Sequence, residues 1–112
     1  MISLMNAINI TAFSDADSLR VSQVPIPVPK ANEVLVRNYA IGVNFVDTQH
    51  RRGKPYPVKL PLIPGIEAAG EVVALGQKVT KVSKGQRIAI AGQMVGIYAE
   101  YCVCPEDVVI PL

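Results

Sequence analysis

The apolar residues of this chain come in short runs rich in Val, Ile and Tyr, cut at close intervals by Pro, Gly, Asn and Asp. That spacing constrains the fold more than any other feature, because runs so short and so often interrupted suit pleated strands and leave little room for helices. Strands are predicted over Met5 to Phe13, Leu19 to Val24, Glu33 to Gly42, Glu67 to Leu75, Gln86 to Ala91 and Tyr98 to Val103. A set of short strands favours closure into a barrel, which removes edges that would otherwise pair with other chains. The expected class is mostly β.

Punctuation refines this reading. From Pro25 to Pro29, Pro alternates with Ile and Val, which denies the backbone its donors and gives a rigid extended connection between two strands. Gly76 and Gly85 bracket GQKVTKVSKG, a turn-rich excursion between two strands, and the closing VVIPL reads as strand. One stretch breaks the β pattern: Asn44 to Gly53, NFVDTQHRRG, begins with a capping residue, ends with Gly, and predicts a short helix. In that helix Asn44 caps an early amide, Asp47 sits in the first turn, and Asp47 and Arg51 are spaced i, i+4 for pairing.

A chain of 112 residues, half of them hydrophobic and 18% charged, can bury one core and is not composed like a disordered segment. Its formal net charge of +2 is too small and too dispersed to favour nucleic acid. No apolar run approaches the roughly 18 residues of a membrane span, and the N-terminus lacks the pattern of a secretory signal, so a cytoplasmic protein is expected. Cys102 and Cys104 are two apart, which in a strand puts both on one face; they read as buried, reduced thiols rather than a metal or redox pair.

Three segments, IGVNFVDTQHRRG, LPLIPGIEAAGEVVALGQKV and KGQRIAIAG, stand in the order and spacing found in medium-chain dehydrogenases and reductases. The chain resembles the zinc-independent quinone oxidoreductase (zeta-crystallin-like) group of that superfamily, over residues from about Glu33 to Leu112. The resemblance implies a GroES-like, partly open β-barrel with one or two short helices: a substrate domain over residues 1–112, with the Rossmann nucleotide-binding domain absent from this chain. Zinc-dependent cousins place a cysteine and a histidine ligand where this chain has Asn44 and Ile66, and neither side chain supplies a thiolate or imidazole. No metal is therefore expected. Gly65, Gly70 and Gly76 lack the phosphate-binding spacing and read as positions where backbone bends or packs on backbone.

The resemblance places the residue matching Asn44 beside the nicotinamide and the acceptor, and gives the match to Asp47 the task of holding the local loop. Where many members carry a tyrosine, this chain has Gln49, which can donate to a carbonyl oxygen but offers neither a phenol proton nor a ring. Asn44, Asp47 and Gln49 are thus the expected catalytic residues, and capping alone also accounts for the first two. Asn44 and Arg52 are the expected cofactor contacts. Arg52 belongs to a basic cluster with His50, Arg51 and Lys54 that reads either as a phosphate attractor or as a solvated helix face. Glu67 is a secondary acid or base, alternatively a structural carboxylate, and Tyr56 is either a cleft-mouth residue or a loop anchor. Gln86, where members usually have Asp, carries no mechanistic weight.

Implied activity is hydride transfer from NADPH to a quinone or enone without metal, NADPH being held through the missing Rossmann domain, in a parent protein expected to be a homodimer. On its own the fragment is expected to be inactive. An enoyl reductase of the same superfamily and a stand-alone, non-catalytic GroES-like binding or assembly module are the alternatives.

Overall fold

The computed structural model describes residues 3–14, 19–54, 59–92 and 95–112. Among them are strands β1 (Leu4–Ile8), β2 (Val21–Pro25) and β3 (Glu33–Ile41), helix α1 (Phe45–Arg52), and strands β4 (Glu67–Leu75), β5 (Arg87–Ala91), β6 (Tyr101–Pro105) and β7 (Val109–Pro111). A single 3₁₀ turn, Glu106–Val108, joins the last two. The fold is mostly β, in two open sheets that do not close into a barrel. Tyr56 lies outside the described residues.

β3 organises the larger sheet, whose order is β6-β3-β4-β5-β7 with every pairing antiparallel. Alternation does the work expected of a strand buried on one face. Val34 and Val36 point inward opposite Cys104 and Cys102 on one side, and Val36 stands opposite Val72 on the other. With Ile88, Ile90, Ile97 and Val109 they form the main core, where full burial of each large aliphatic side chain contributes roughly 2 kcal/mol. β1 and β2 form a separate antiparallel ribbon, tied to the body by the bridges Ala7 to Ala99 and Ile10 to Leu62. A second cluster of Met5, Ala7 and Ala99 fills the junction.

The sheets remain open where the strand count favoured closure. The first part of the proline segment is paired, contrary to the expected unpaired connection: Pro25 closes β2 opposite Leu4 and the Ile26 amide donates to the Ser3 oxygen at 2.9 Å. β1 stops at Ile8, five residues short of the predicted limit, after which only Ile10 bridges to Leu62. β6 starts at Tyr101 rather than Tyr98. The amides of Ile97 and Tyr98 both donate to the Pro64 oxygen instead, at 3.0 and 2.8 Å. β4 matches its predicted limits.

Close approach explains two glycines. A Cβ at Gly70 would collide with the Arg37 carbonyl oxygen beside the register shift in the β3–β4 pair, and one at Gly76 would collide with the Lys30 and Ala31 oxygens. Cys102 and Cys104 are buried on one face, as their spacing required, and neither is in a disulfide. Burial pushes the Cys102 thiol up to about 11, against a smaller opposing effect of its contact with Asn38. Burial first, then the neighbouring Cys102, pushes Cys104 up to about 12.

Two outcomes follow. Gly70→Ala forces backbone apart and should cost about 3 kcal/mol by urea unfolding, whereas Gly85→Ala, with φ +89 but no atom near its Cβ, should cost about 1 kcal/mol. Unfolded thiols ionise near pH 8.5 while the folded ones hold their protons to about 11 and 12, so the stability they contribute is full below pH 8.5 and is lost as pH rises beyond it. A thiol reagent at pH 8 should label the unfolded chain and leave the native one unmodified.

Candidate functional site

β3 delivers the chain directly into α1 through Gly42, Val43 and Asn44. Asn44 is the N-cap, in extended conformation at φ −123° and ψ 155°, but its side chain makes no capping hydrogen bond, contrary to expectation; the return half of a capping box, from the Asp47 side chain, is what ties the two residues. The Asp47 amide donates to the Asn44 carbonyl oxygen at 3.0 Å, and the Asn44 amide donates back to Asp47 Oδ2 at 2.9 Å. At the other end Gly53, at φ 75°, takes the left-handed conformation that closes a helix, and its amide donates to the Gln49 and His50 oxygens.

The helix divides its residues by face. Asn44, Asp47 and His50 follow at three-residue steps and turn toward the body, with Asp47 4% and His50 2% exposed. Phe45, Gln49 and Arg52 lie on the outward side, where Phe45 is 73% exposed. Sequence reading put His50 on a solvated basic face; it is buried, because it shares the inward stripe with Asp47. Nor does Arg51 pair with Asp47, since its Nε donates to the Ser14 oxygen at 3.2 Å. Asn44 and Asp47 are therefore brought together, whereas Gln49 projects from the other face and Arg52 stands a helix length away, roughly 12 Å at 1.5 Å per residue.

Asp47 finds its partner across the fold. The Tyr98 hydroxyl donates to Asp47 Oδ2 at 2.6 Å, so one carboxylate oxygen receives both the phenol and the Asn44 amide. The Tyr98 ring lies against Gly65, where a Cβ would come within 2.6 Å of Tyr98 Cδ1 and where φ is +109°. Burial, reinforced by the bond to Asp47 and its charge, raises the Tyr98 phenol well above its ordinary range, so it stays a donor at alkaline pH. Sequence reading missed Tyr98, which it placed at the start of a strand; no local pattern marks a tyrosine whose partner lies 51 residues away.

Three buried polar atoms lack hydrogen-bond partners among the described residues: Asn44 Nδ2, Asp47 Oδ1 and His50 Nδ1. Beside the cap, Val43 is 80% exposed and Ile41 is also open, giving an uncovered apolar approach. Glu67, first in β4, is exposed and folds its side chain over Gly42, whose amide donates to the Glu67 carbonyl oxygen. No group of three or more His, Cys, Asp or Glu converges among the described residues.

This assembly of sheet, cap helix and glycine turn has a family. The chain belongs to the alcohol dehydrogenase GroES-like domain family, whose model matches residues 30–112, and within it the chain groups with the quinone oxidoreductases. A quinone oxidoreductase from Sus scrofa is 40% identical over 111 residues, covering 95% of this chain and 33% of that one. The structure of a Pseudomonas syringae pv. Tomato quinone oxidoreductase superposes with a TM-score of 0.92 at 36% identity, covering 96% of this chain and 33% of its own. A mycobacterial protein solved in complex with NADPH superposes with a TM-score of 0.88 at 38% identity, covering 96% and 32%. The chain spans about a third of the length of these relatives.

Asp47→Ala leaves the Tyr98 hydroxyl and the Asn44 amide without their shared acceptor. Denaturant unfolding should show a loss of about 3 kcal/mol, more than the ~1 kcal/mol of a lost cap alone.

Proposed function

We propose that this chain is the substrate-side domain of an NADPH-dependent quinone oxidoreductase that reduces a quinone or activated alkene without a catalytic metal. The observation that carries this reading is the Asn44 side chain: its Nδ2 is buried, has no partner among the described residues, and sits at a helix cap beside open apolar surface. A neutral donor so placed suits a carboxamide or an acceptor oxygen, and the similarity to quinone oxidoreductases over 95% of the chain supports that assignment.

NADPH, when bound, supplies the hydride. Asn44 orients the acceptor or the nicotinamide amide and stabilises negative charge developing on the acceptor oxygen. Asp47 holds Asn44 in place. Gln49, on the opposite face from Asn44, is not placed to share its acceptor, and Arg52, exposed at the helix end, meets a cofactor phosphate. A quinone is already electron-poor, so neutral donors suffice where an alcohol would need a Lewis acid for deprotonation. The positions that serve zinc in the dehydrogenase cousins hold an amide and an aliphatic side chain, Asn44 and Ile66, which suits metal-free chemistry. A cytoplasmic homodimer is the setting this reading carries.

The test uses the full-length parent protein, following NADPH oxidation with a quinone acceptor. Asn44→Ala should lower turnover about 100-fold, the scale of one preorganised donor. Asn44→Asp replaces the donor with an acceptor beside the buried Asp47 and should be equally impaired, its fold being checked in parallel by denaturant unfolding. Full turnover in Asn44→Asp would remove Asn44 from the mechanism.

A further inference from the structure

We infer that Tyr98 is a positioning residue for the proposed hydride transfer, setting Asn44 through the single carboxylate oxygen that both residues share. The inference rests on the proposed role of Asn44 and extends it to a residue in a distant segment. Its basis is a convergence: Tyr98 Oη at 2.6 Å and the Asn44 amide at 2.9 Å meet on Asp47 Oδ2, inside a carboxylate that is 4% exposed. The other oxygen, Oδ1, has no partner among the described residues, so these two donors alone fix the carboxyl plane among them.

Tyr98 is able to act as a fixed post because its own backbone is held from two sides. Its amide donates to the Pro64 oxygen at 2.8 Å, and its carbonyl accepts from the Ile8 amide of β1 at 2.9 Å. Gly96 adds a bond to the Ile63 oxygen at 2.6 Å. The ring rests on Gly65, where the missing Cβ and the positive φ leave the space it fills. The phenol therefore has its position set by β1 and the Pro64–Gly65 turn, independently of α1. A helix of two turns is a weak holder of its own first residue, since its early amides have no intrahelical acceptors. Tying its N3 carboxylate to a rigid post outside the helix converts a fraying end into a fixed one. Displacements of about 1 Å at a reacting group can cost as much as 100-fold in rate, so a lock on Asn44 matters to turnover even though Tyr98 does not touch the acceptor.

Tyr98→Phe removes one oxygen and leaves the ring on Gly65. In the full-length parent, quinone-dependent kcat should fall about 10-fold, with the dissociation constant for NADPH and the KM for quinone within about 2-fold of the original. The primary isotope effect with NADPH deuterated at the transferred position should rise, because chemistry becomes slower relative to release; loss of folded enzyme would lower kcat and leave the isotope effect alone. Tyr101→Phe, a tyrosine packed against the ribbon, should change neither. The Tyr98→Phe, Asp47→Asn double variant should be no slower than the slower single variant, since both act on one oxygen. In the 112-residue chain itself, the backbone amide resonance of Asn44 should shift and exchange faster with solvent in Tyr98→Phe, with Tyr101→Phe as reference. Unchanged kcat and isotope effect in Tyr98→Phe, or an unmoved Asn44 amide, would overturn the inference. A parent with no quinone reductase activity would instead overturn the functional reading, while the amide measurement would still decide whether Tyr98 sets Asn44.

Discussion

The pairing of β3 on both edges is the constraint from which the rest of the structure follows. Val34 and Val36 are fully buried, and each is matched across the sheet by a small or branched side chain, so slipping the register by one residue would turn the whole seam toward solvent. That register also fixes where β3 ends. Because Gly42 hydrogen-bonds to Glu67 at the head of β4, the point at which the chain leaves the sheet and enters α1 is set by strand pairing and not by the helix. The N-cap inherits its position from the core.

A second strand-to-turn junction meets the first. Gly65 leads into β4 while the segment before β6 folds back over it, and the small size of Gly65 lets the Tyr98 ring lie close enough for its hydroxyl to reach α1. Sheet, glycine turn and helix thus converge on one carboxylate. Burying an anion is expensive unless it is hydrogen-bonded, and charge-assisted bonds from a phenol and an amide are the kind that offset the cost. The result is a short helix anchored by tertiary contacts rather than by its own propensity.

Much of this was legible in the sequence, and the parts that were not share a cause. β4 and the capped helix were readable because their signals are local: alternation in EAAGEVVAL, and Asn and Gly eight residues of helix apart. The Asn44–Asp47 bond was not read from the sequence, which offered Arg51 as the partner of Asp47 by its i, i+4 spacing. Nor was the burial of His50, because an eight-residue helix with polar residues on every side carries no apolar stripe to say which face turns inward. Tyr98 and the late start of β6 were hidden because their hydrogen bonds go to Pro64, Ile8 and Asp47, partners far off in sequence. Strand number alone argues for closure, and the partly open form came from the resemblance; the proline alternation from Pro25 was read as unpaired, whereas Pro25 still pairs with Leu4 at the end of β2.

The geometry also divides labour between the two carboxylates near the cap. Reduction of a quinone by hydride leaves an oxyanion that must gain a proton, and an acid for that step has to reach the acceptor. Asp47 does not meet this condition: it is buried, and one of its oxygens is occupied by two donors. Tyr98 is no better placed, since its proton is committed to Asp47 and burial together with that bond hold it on the phenol. Glu67 alone of these groups is exposed, at the end of the open trough beside Gly42. On the proposed reading, then, the Asp47–Tyr98 pair works as a fixed mount for a neutral donor, and protonation of the product falls to solvent at the open end beside Glu67. This separation suits a site whose acceptor is polarised by an amide, because a mobile proton beside Asn44 would loosen the mount that positions it.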